Sequence, residues 1–206
     1  MDAIQDDQVS AIGPRLFFCR ILYDSEIRCS PIRTVLQKHY TQPQLNADSE
    51  DEHVIGAISD THNLIRLEAL YVLKGSERII HAGDIGGPEI LEVLKVMAPV
   101  VAVRGNNDQG EWARRLPKVK VVEFNGARIA VVHILRDLDN ARSDCKLDCI
   151  LDCRRDWIIS GHSHRAPAKR KNRVLCLNQG TAGSRRFGQP ATIALLRIFS
   201  NELNSE

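Results

Sequence analysis

From residue 54 onward, short apolar runs alternate with longer stretches in which apolar positions recur every three or four residues. The runs at 54–59 (VIGAIS), 78–82 (RIIHA), 100–104 (VVAVR), 128–133 (RIAVVH) and 157–160 (WIIS) are short and rich in β-branched residues, as strands buried on both faces are. Between the early ones lie two stretches of helical period, 63–74 (NLIRLEALYVLK) and 88–97 (PEILEVLKVM). Pro88 opens the second, at a position where a missing backbone N–H does no harm. Strand–helix alternation of this kind predicts a parallel sheet. The pattern then changes. Asn125-Gly126 divides VKVVEFNGARIAVVH into two runs, which predicts a hairpin. APAKRKNRVLCLN predicts a second hairpin turning near Lys171-Asn172, and 191–199 (ATIALLRIF) a final strand. Parallel units followed by antiparallel strands point to an α/β fold in which two mixed sheets pack together with helices outside.

Residues 1–52 do not join this rhythm. They contain Pro14, Pro31 and Pro43 and end in the acidic, polar NADSEDE. The sequence therefore divides into a flexible or loosely packed extension, 1–52, and a single domain, 53–206. The extension carries 5 Lys+Arg against 9 Asp+Glu, while the remainder carries 23 against 17. The whole chain has a net charge of +2, so specific nucleic-acid binding is not expected. RLFFCRILY (15–23) is too short to span a membrane and is interrupted by Arg20. Six cysteines without a CxxC pair, in a chain of 206 residues, fit reduced thiols in a cytoplasmic protein. Cys145, Cys149 and Cys153 recur every four residues and are expected to be small buried hydrophobes.

The chemistry lies at the strand ends. Asp60 and His62 follow the first run, Asp84 the second, Asn106, Asn107 and Asp108 the third. His133 ends the fourth, and His162 and His164 follow the fifth. Loops at the carboxyl ends of the strands in such sheets converge on one crevice. Seven oxygen and nitrogen donors there (Asp60, His62, Asp84, Asn106, His133, His162, His164) exceed the needs of one ion and suit two. Mixed carboxylate, amide and imidazole donors fit manganese first, with nickel, cobalt, iron and zinc as alternatives. Such a pair activates water and stabilises in-line displacement at phosphorus. Gly83, Gly105 and Gly161 each precede a donor. His81 lies inside a run and is expected to be a core histidine with its hydrogen bonds satisfied.

The ordered set D-x-H, G-D, G-N-x-D, a later His and G-H-x-H resembles the calcineurin-like metallophosphoesterases, and within them the small YfcE-type phosphodiesterase group. The resemblance covers roughly 53–199. It implies a four-layer α-β-β-α sandwich, with Asp60, His62 and His164 on one metal, Asp84 bridging, and Asn106, His133 and His162 on the other. Asp84, Asn106 and His133 would be the catalytic residues. Asp108 would orient the Asn106 loop rather than bind metal. Two positions depart from the pattern. Asn107 replaces a histidine that many members use to protonate the leaving group, so alkoxide leaving groups should react slowly. Ile134 follows His133 where glycine is usual.

Asn107, Arg185 and Arg186 are the candidate substrate contacts, the arginines following the small-residue loop GTAGS. The expected function is a metal-dependent phosphoesterase, with phosphodiesters as substrates rather than monoesters. The rival is a non-catalytic metal-binding scaffold of the same fold, similar to the retromer subunit, although a scaffold is free to lose ligands and all seven are present. The expected partner is a small phosphodiester, with no membrane. Homo-oligomerisation is left open.

Overall fold

The computed structural model describes residues 7–12, 15–23, 51–138, 157–166, 168–171 and 174–200. The Cys145, Cys149 and Cys153 stripe lies outside these residues. In chain order the strands are β1 (Asp7–Ile12), β2 (Arg15–Tyr23), β3 (Asp51–Ile58), β4 (Arg78–His81) and β5 (Val100–Ala102), then β6 (Val119–Phe124) and β7 (Ala127–Val132), then β8 (Trp157–Ser160), β9 (Ala168–Lys171), β10 (Val174–Asn178) and β11 (Thr192–Ser200). The helices are α1 (Leu67–Leu73), α2 (Pro88–Lys95) and the short α3 (Glu111–Arg114). No helix among the described residues is long and apolar enough to cross a membrane.

Two mixed sheets result. The first runs β1-β2-β11-β3-β4-β5 and the second β6-β7-β8-β10-β9. β3, β4 and β5 are parallel, as the alternation predicts, and β11 runs antiparallel against β3. β6 and β7 form the Asn125-Gly126 hairpin, both turn residues with left-handed backbone (φ 45° and 69°). β9 and β10 form the second hairpin, with Val174 opposite Lys171. The basic run thus falls on β9, at the edge of the second sheet.

Period-two alternation places the layers. Ile55 and Ala57 of β3, Ile80 of β4, Ile129 and Val131 of β7, Trp157 and Ile159 of β8, and Leu196 of β11 bury one another between the sheets. The intervening residues face outward. Ile58 and Ile79 meet Ala69 and Leu73 of α1 and Leu91 and Leu94 of α2. On the far side, Ala130 and Val132 pack against Leu138, in a helical turn at 135–138. This is an α/β sandwich of two sheets.

Three boundaries differ from the sequence expectation. Helix α1 begins at Leu67 rather than Asn63. His62 and Asn63 take left-handed backbone (φ 46° and 64°), and Asn63 donates to Ile85 O at 2.9 Å. The ligand loop thus consumes what reads as the first helical turn. α3, four residues long, is too short to show a period in the sequence. The sequence reads 1–52 as a flexible or loosely packed extension, yet β2 pairs along β11 from Arg15↔Ser200 to Tyr23↔Thr192, and β1 folds back on β2. RLFFCRILY matches the whole length of β11, a partner far along the chain that local pattern does not announce.

Candidate metal centre

Each candidate donor sits where a strand ends and the backbone turns sharply. Asp60, His62, Asp84, His162 and His164 all have positive φ (54°, 46°, 52°, 72° and 54°), a region that residues with a Cβ seldom adopt. Strain of this kind persists only where surrounding bonds impose it. Here the loop after β3 is fastened to the loop after β4. Asp60 N–H donates to Gly83 O at 3.0 Å and His62 N–H to Asp84 O at 3.0 Å. Close approach also dictates glycine. A Cβ at Gly105 would collide with the amide nitrogen and Oδ1 of Asp84. One at Gly161 would stand 2.9 Å from both Asp60 Oδ2 and His133 Nδ1.

The carboxylates are buried, and their oxygens are used unequally. Asp60 Oδ2 accepts the Ser59 hydroxyl at 2.5 Å and the His162 N–H at 3.1 Å. Asp60 Oδ1 has no hydrogen-bond partner among the described residues and faces His164 Nε2 at 3.5 Å and His62 Nε2 at 3.9 Å. Asp84 divides its oxygens. Oδ1 lies 3.4 Å from His133 Nε2, and Oδ2 lies 3.8 Å from His62 Nε2. His133 donates from Nδ1 to Ala82 O at 2.7 Å, which leaves Nε2 to face the site, 3.1 Å from Asn106 Oδ1. The His62 and His164 rings stack at 5.5 Å, and His162 meets His133 edge-on at 5.3 Å.

Electrostatics follow from burial and from these neighbours. Burial pushes the Asp60 carboxyl up to about 6. Burial also works against ionised Asp84, but hydrogen bonds from His133 and Asn107 outweigh it and hold that carboxyl well below the usual range. His62 is lowered by burial and then by the Arg186 charge, and His164 falls to about 4 through burial, His62 and Arg186. For His133, burial is outweighed by Asp84 and Asp60, and its pKa rises.

Two groups of donors emerge, Asp60 with His62 and His164, and Asp60 with Asp84 and His133, each with its donor atoms within 4.8 Å of one another. Five of the seven expected donors fall in these groups, and the other two, Asn106 and His162, stand against His133. The grouping differs in two respects from the resemblance, because Asp60 stands in both groups and Asp84 in the second alone. The set fits divalent cations. Asp60 Oδ1 and His62 Nε2 are buried and have no hydrogen-bond partner among the described residues, an arrangement that is costly unless a cation lies between them.

Other expectations fare variously. Asp108 stands in neither donor group and accepts from Gly86 N–H at 2.9 Å and Gly105 N–H at 2.8 Å, tying the two ligand loops together. Ile134 leaves its neighbour in place, since His133 is only 1% exposed and the backbone at Ile134 stays outside the left-handed region. Asn107 lies against a candidate ligand: its backbone N–H donates to Asp84 Oδ1 at 2.8 Å and its side-chain amide to Oδ2 at 2.5 Å. Arg186 and Arg185 are exposed on the loop beside the site, where the Arg186 charge is felt by His62 and His164. His81 is fully buried but only half satisfied. Its Nε2 bonds Thr61 Oγ1 at 2.9 Å, while Nδ1 has no partner among the described residues.

Two contributors were missed. Asn178 donates to Gly161 O at 2.5 Å and to Ser163 Oγ at 3.0 Å, fixing the loop that bears His162 and His164. Its place at the end of β10, like the donors at their own strand ends, was the available signal. Phe187 sets its ring 5.7 Å from that of His164 and had no sequence signal beyond following Arg186.

A profile described as the calcineurin-like phosphoesterase superfamily domain matches residues 54–201. The chain belongs to that superfamily. This metallophosphoesterase is 31% identical over 159 residues to a probable metallophosphoesterase of Methanothermobacter thermautotrophicus, an alignment covering 74% of this chain and 90% of that one. Its fold is shared with Vps29 of Chaetomium thermophilum (TM-score 0.56, 21% identity, 69% of this chain and 80% of that one). It is shared also with a protein described as a novel archaeal phosphodiesterase (TM-score 0.52, 24% identity, 68% and 92%). Membership makes this metallophosphoesterase a hydrolase of phosphoric esters whose metal requirement the gathered donors can meet.

Proposed function

We propose that this superfamily member is a phosphodiesterase that works with two divalent metals, manganese first among the candidates. The observation that carries the reading is the division of Asp84, one oxygen toward His133 at 3.4 Å and the other toward His62 at 3.8 Å. A carboxylate so placed would bridge two ions, Asp60, His62 and His164 holding one and Asn106, His133 and His162 the other. Bound divalent metals lower the pKa of water and offset the charge that builds on phosphoryl oxygens.

The chain's own residues set the limits of the reaction. Arg186 and Arg185 offer cationic contacts for a phosphate at the mouth of the site. Asn107 cannot protonate a leaving group, and His164, lowered to about 4, is a neutral imidazole at neutral pH and so no general acid. Esters whose leaving group departs as a stable anion are therefore the better substrates. The shared fold of the archaeal phosphodiesterase supports the diester over the monoester.

The test is hydrolysis of bis-p-nitrophenyl phosphate by metal-stripped protein to which manganese, nickel, cobalt, zinc or magnesium is returned singly. Turnover restored by metal and well above that on p-nitrophenyl phosphate is expected. Asp84→Asn should lose at least a hundredfold in metal-dependent turnover with an unchanged circular dichroism spectrum, since it removes the bridging anion. Unchanged turnover in that variant sinks the reading. Metal binding without turnover in the wild type would favour the rival, an interaction scaffold of the same fold.

A further inference from the structure

The turn after Arg186 holds an aromatic side chain that neither local propensity nor the core explains. Gln189 N–H donates to Arg186 O at 2.9 Å, closing a four-residue turn. Its central residues, Phe187 and Gly188, both have left-handed backbone (φ 53° and 69°). That is the pattern of a type I′ turn, whose first central position favours asparagine, aspartate or glycine. A bulky residue there is strained. Burial does not compensate, because Phe187 is 78% exposed. Residues held in strained backbone cluster at active sites and ligand clamps.

The position is as specific as the conformation. The Phe187 ring stands 5.7 Å from His164 at 68°, and His164 is itself stacked on His62. The loop that presents it is fastened to the loop bearing Asp60 and His62. Ala182 N–H donates to Ser59 O at 2.9 Å, Thr181 Oγ1 to Asp60 O at 2.9 Å, and Arg66 Nε to Gly183 O at 2.8 Å. Gly183 lies so close to the Asp60–Thr61 backbone that a Cβ there would collide with it. Phe187 therefore has a fixed place relative to the candidate ligands, one residue from a guanidinium suited to phosphate.

We propose that Phe187 is a stacking platform for a flat aromatic ring carried by one ester arm of the substrate, as in a nucleotide phosphodiester. The proposal rests on the phosphodiesterase reading and names its substrate class. Arg186 and the metals take the phosphate, and the phenyl face takes the base. Such stacking tolerates any base, because every base offers a π-face.

Titration calorimetry of the metal-loaded full chain with thymidine 5′-phosphate and with methyl phosphate tests it. The two ligands share the phosphate and differ in the ring. In Phe187→Ala the ratio of the two affinities should fall roughly tenfold, and in Phe187→Trp it should be retained. A ratio unmoved by Phe187→Ala overturns the platform. Turnover of methyl p-nitrophenyl phosphate by the wild type tests the reading beneath it separately. Its absence condemns the phosphodiesterase and leaves the binding ratio to judge Phe187.

Discussion

Asp60 carries a proton more readily than a surface carboxylate, since burial lifts its pKa from 3.8 to about 6. A cation needs the anion, so protons compete with metal below that pH. Metal affinity should weaken as pH falls, by up to about tenfold per unit below 6 for Asp60 alone, and His133, whose pKa is raised, begins the loss at higher pH. Manganese titrations at pH 7.5 and pH 5 decide this, and equal affinities would refute it. His81 works on the fold instead. Thr61 gives its hydroxyl proton to Ile85 O at 2.8 Å, so His81 Nε2 must donate to Thr61 Oγ1, and the ring is neutral. Burial, reinforced by His133, lowers its pKa from 6.5 to about 3. A depressed histidine contributes stability that is full above its unfolded pKa of about 6.5 and is lost as pH falls toward about 3. Asp60 opposes this between about 4 and 6, being protonated in the fold while ionised in the unfolded chain. Urea midpoints of the metal-free protein should therefore fall from pH 7.5 to pH 5. His81→Gln, which keeps a donor but cannot titrate, should flatten that fall.

Among the elements, α1 shows what sets stability. Seven residues long and with no side-chain cap, it gains little from its own hydrogen bonds and docks through Ala69 and Leu73. Leu73 is 1% exposed and fills the space left above Gly56, where a Cβ would collide with it. Leu73→Ala should cost roughly 2–5 kcal/mol in thermal or urea unfolding, and a cost below 1 would contradict the packing. The same element marks where the sequence was legible. Runs of buried β-branched residues announced β3, β4, β7 and β8, because a strand buried on both faces has no polar positions to blur it. The start of α1 was not legible. The turn at His62 and Asn63 is imposed by bonds to the loop after β4, which local period does not reveal. The candidate ligands were readable because each stands at a strand end beside small or polar residues. Asn178, the grip of Asn107 on Asp84 and the ring of Phe187 were not, since each depends on contacts between segments far apart in the chain.

At the scale of the molecule, the site spans both sheets. Asp60, His62, Asp84 and Asn106 follow strands of the first, and His133, His162 and His164 follow strands of the second. Bound ions would join the sheets across one end, and would bind the native chain alone. Manganese at a hundred times its dissociation constant should stabilise by ~2.7 kcal/mol and raise the melting temperature, with chelator reversing it. An unmoved melting temperature would mean that the donors hold no ion. The first sheet has one further property, which concerns time. β11 is the last described strand to be made, yet it lies between β2 and β3 and pairs with both. During synthesis, β3 must wait with an open, apolar edge until residues 192–200 leave the ribosome, and such edges recruit other chains. A nascent chain arrested before β11 should be held by chaperones and open to protease, and should close abruptly once that strand is free.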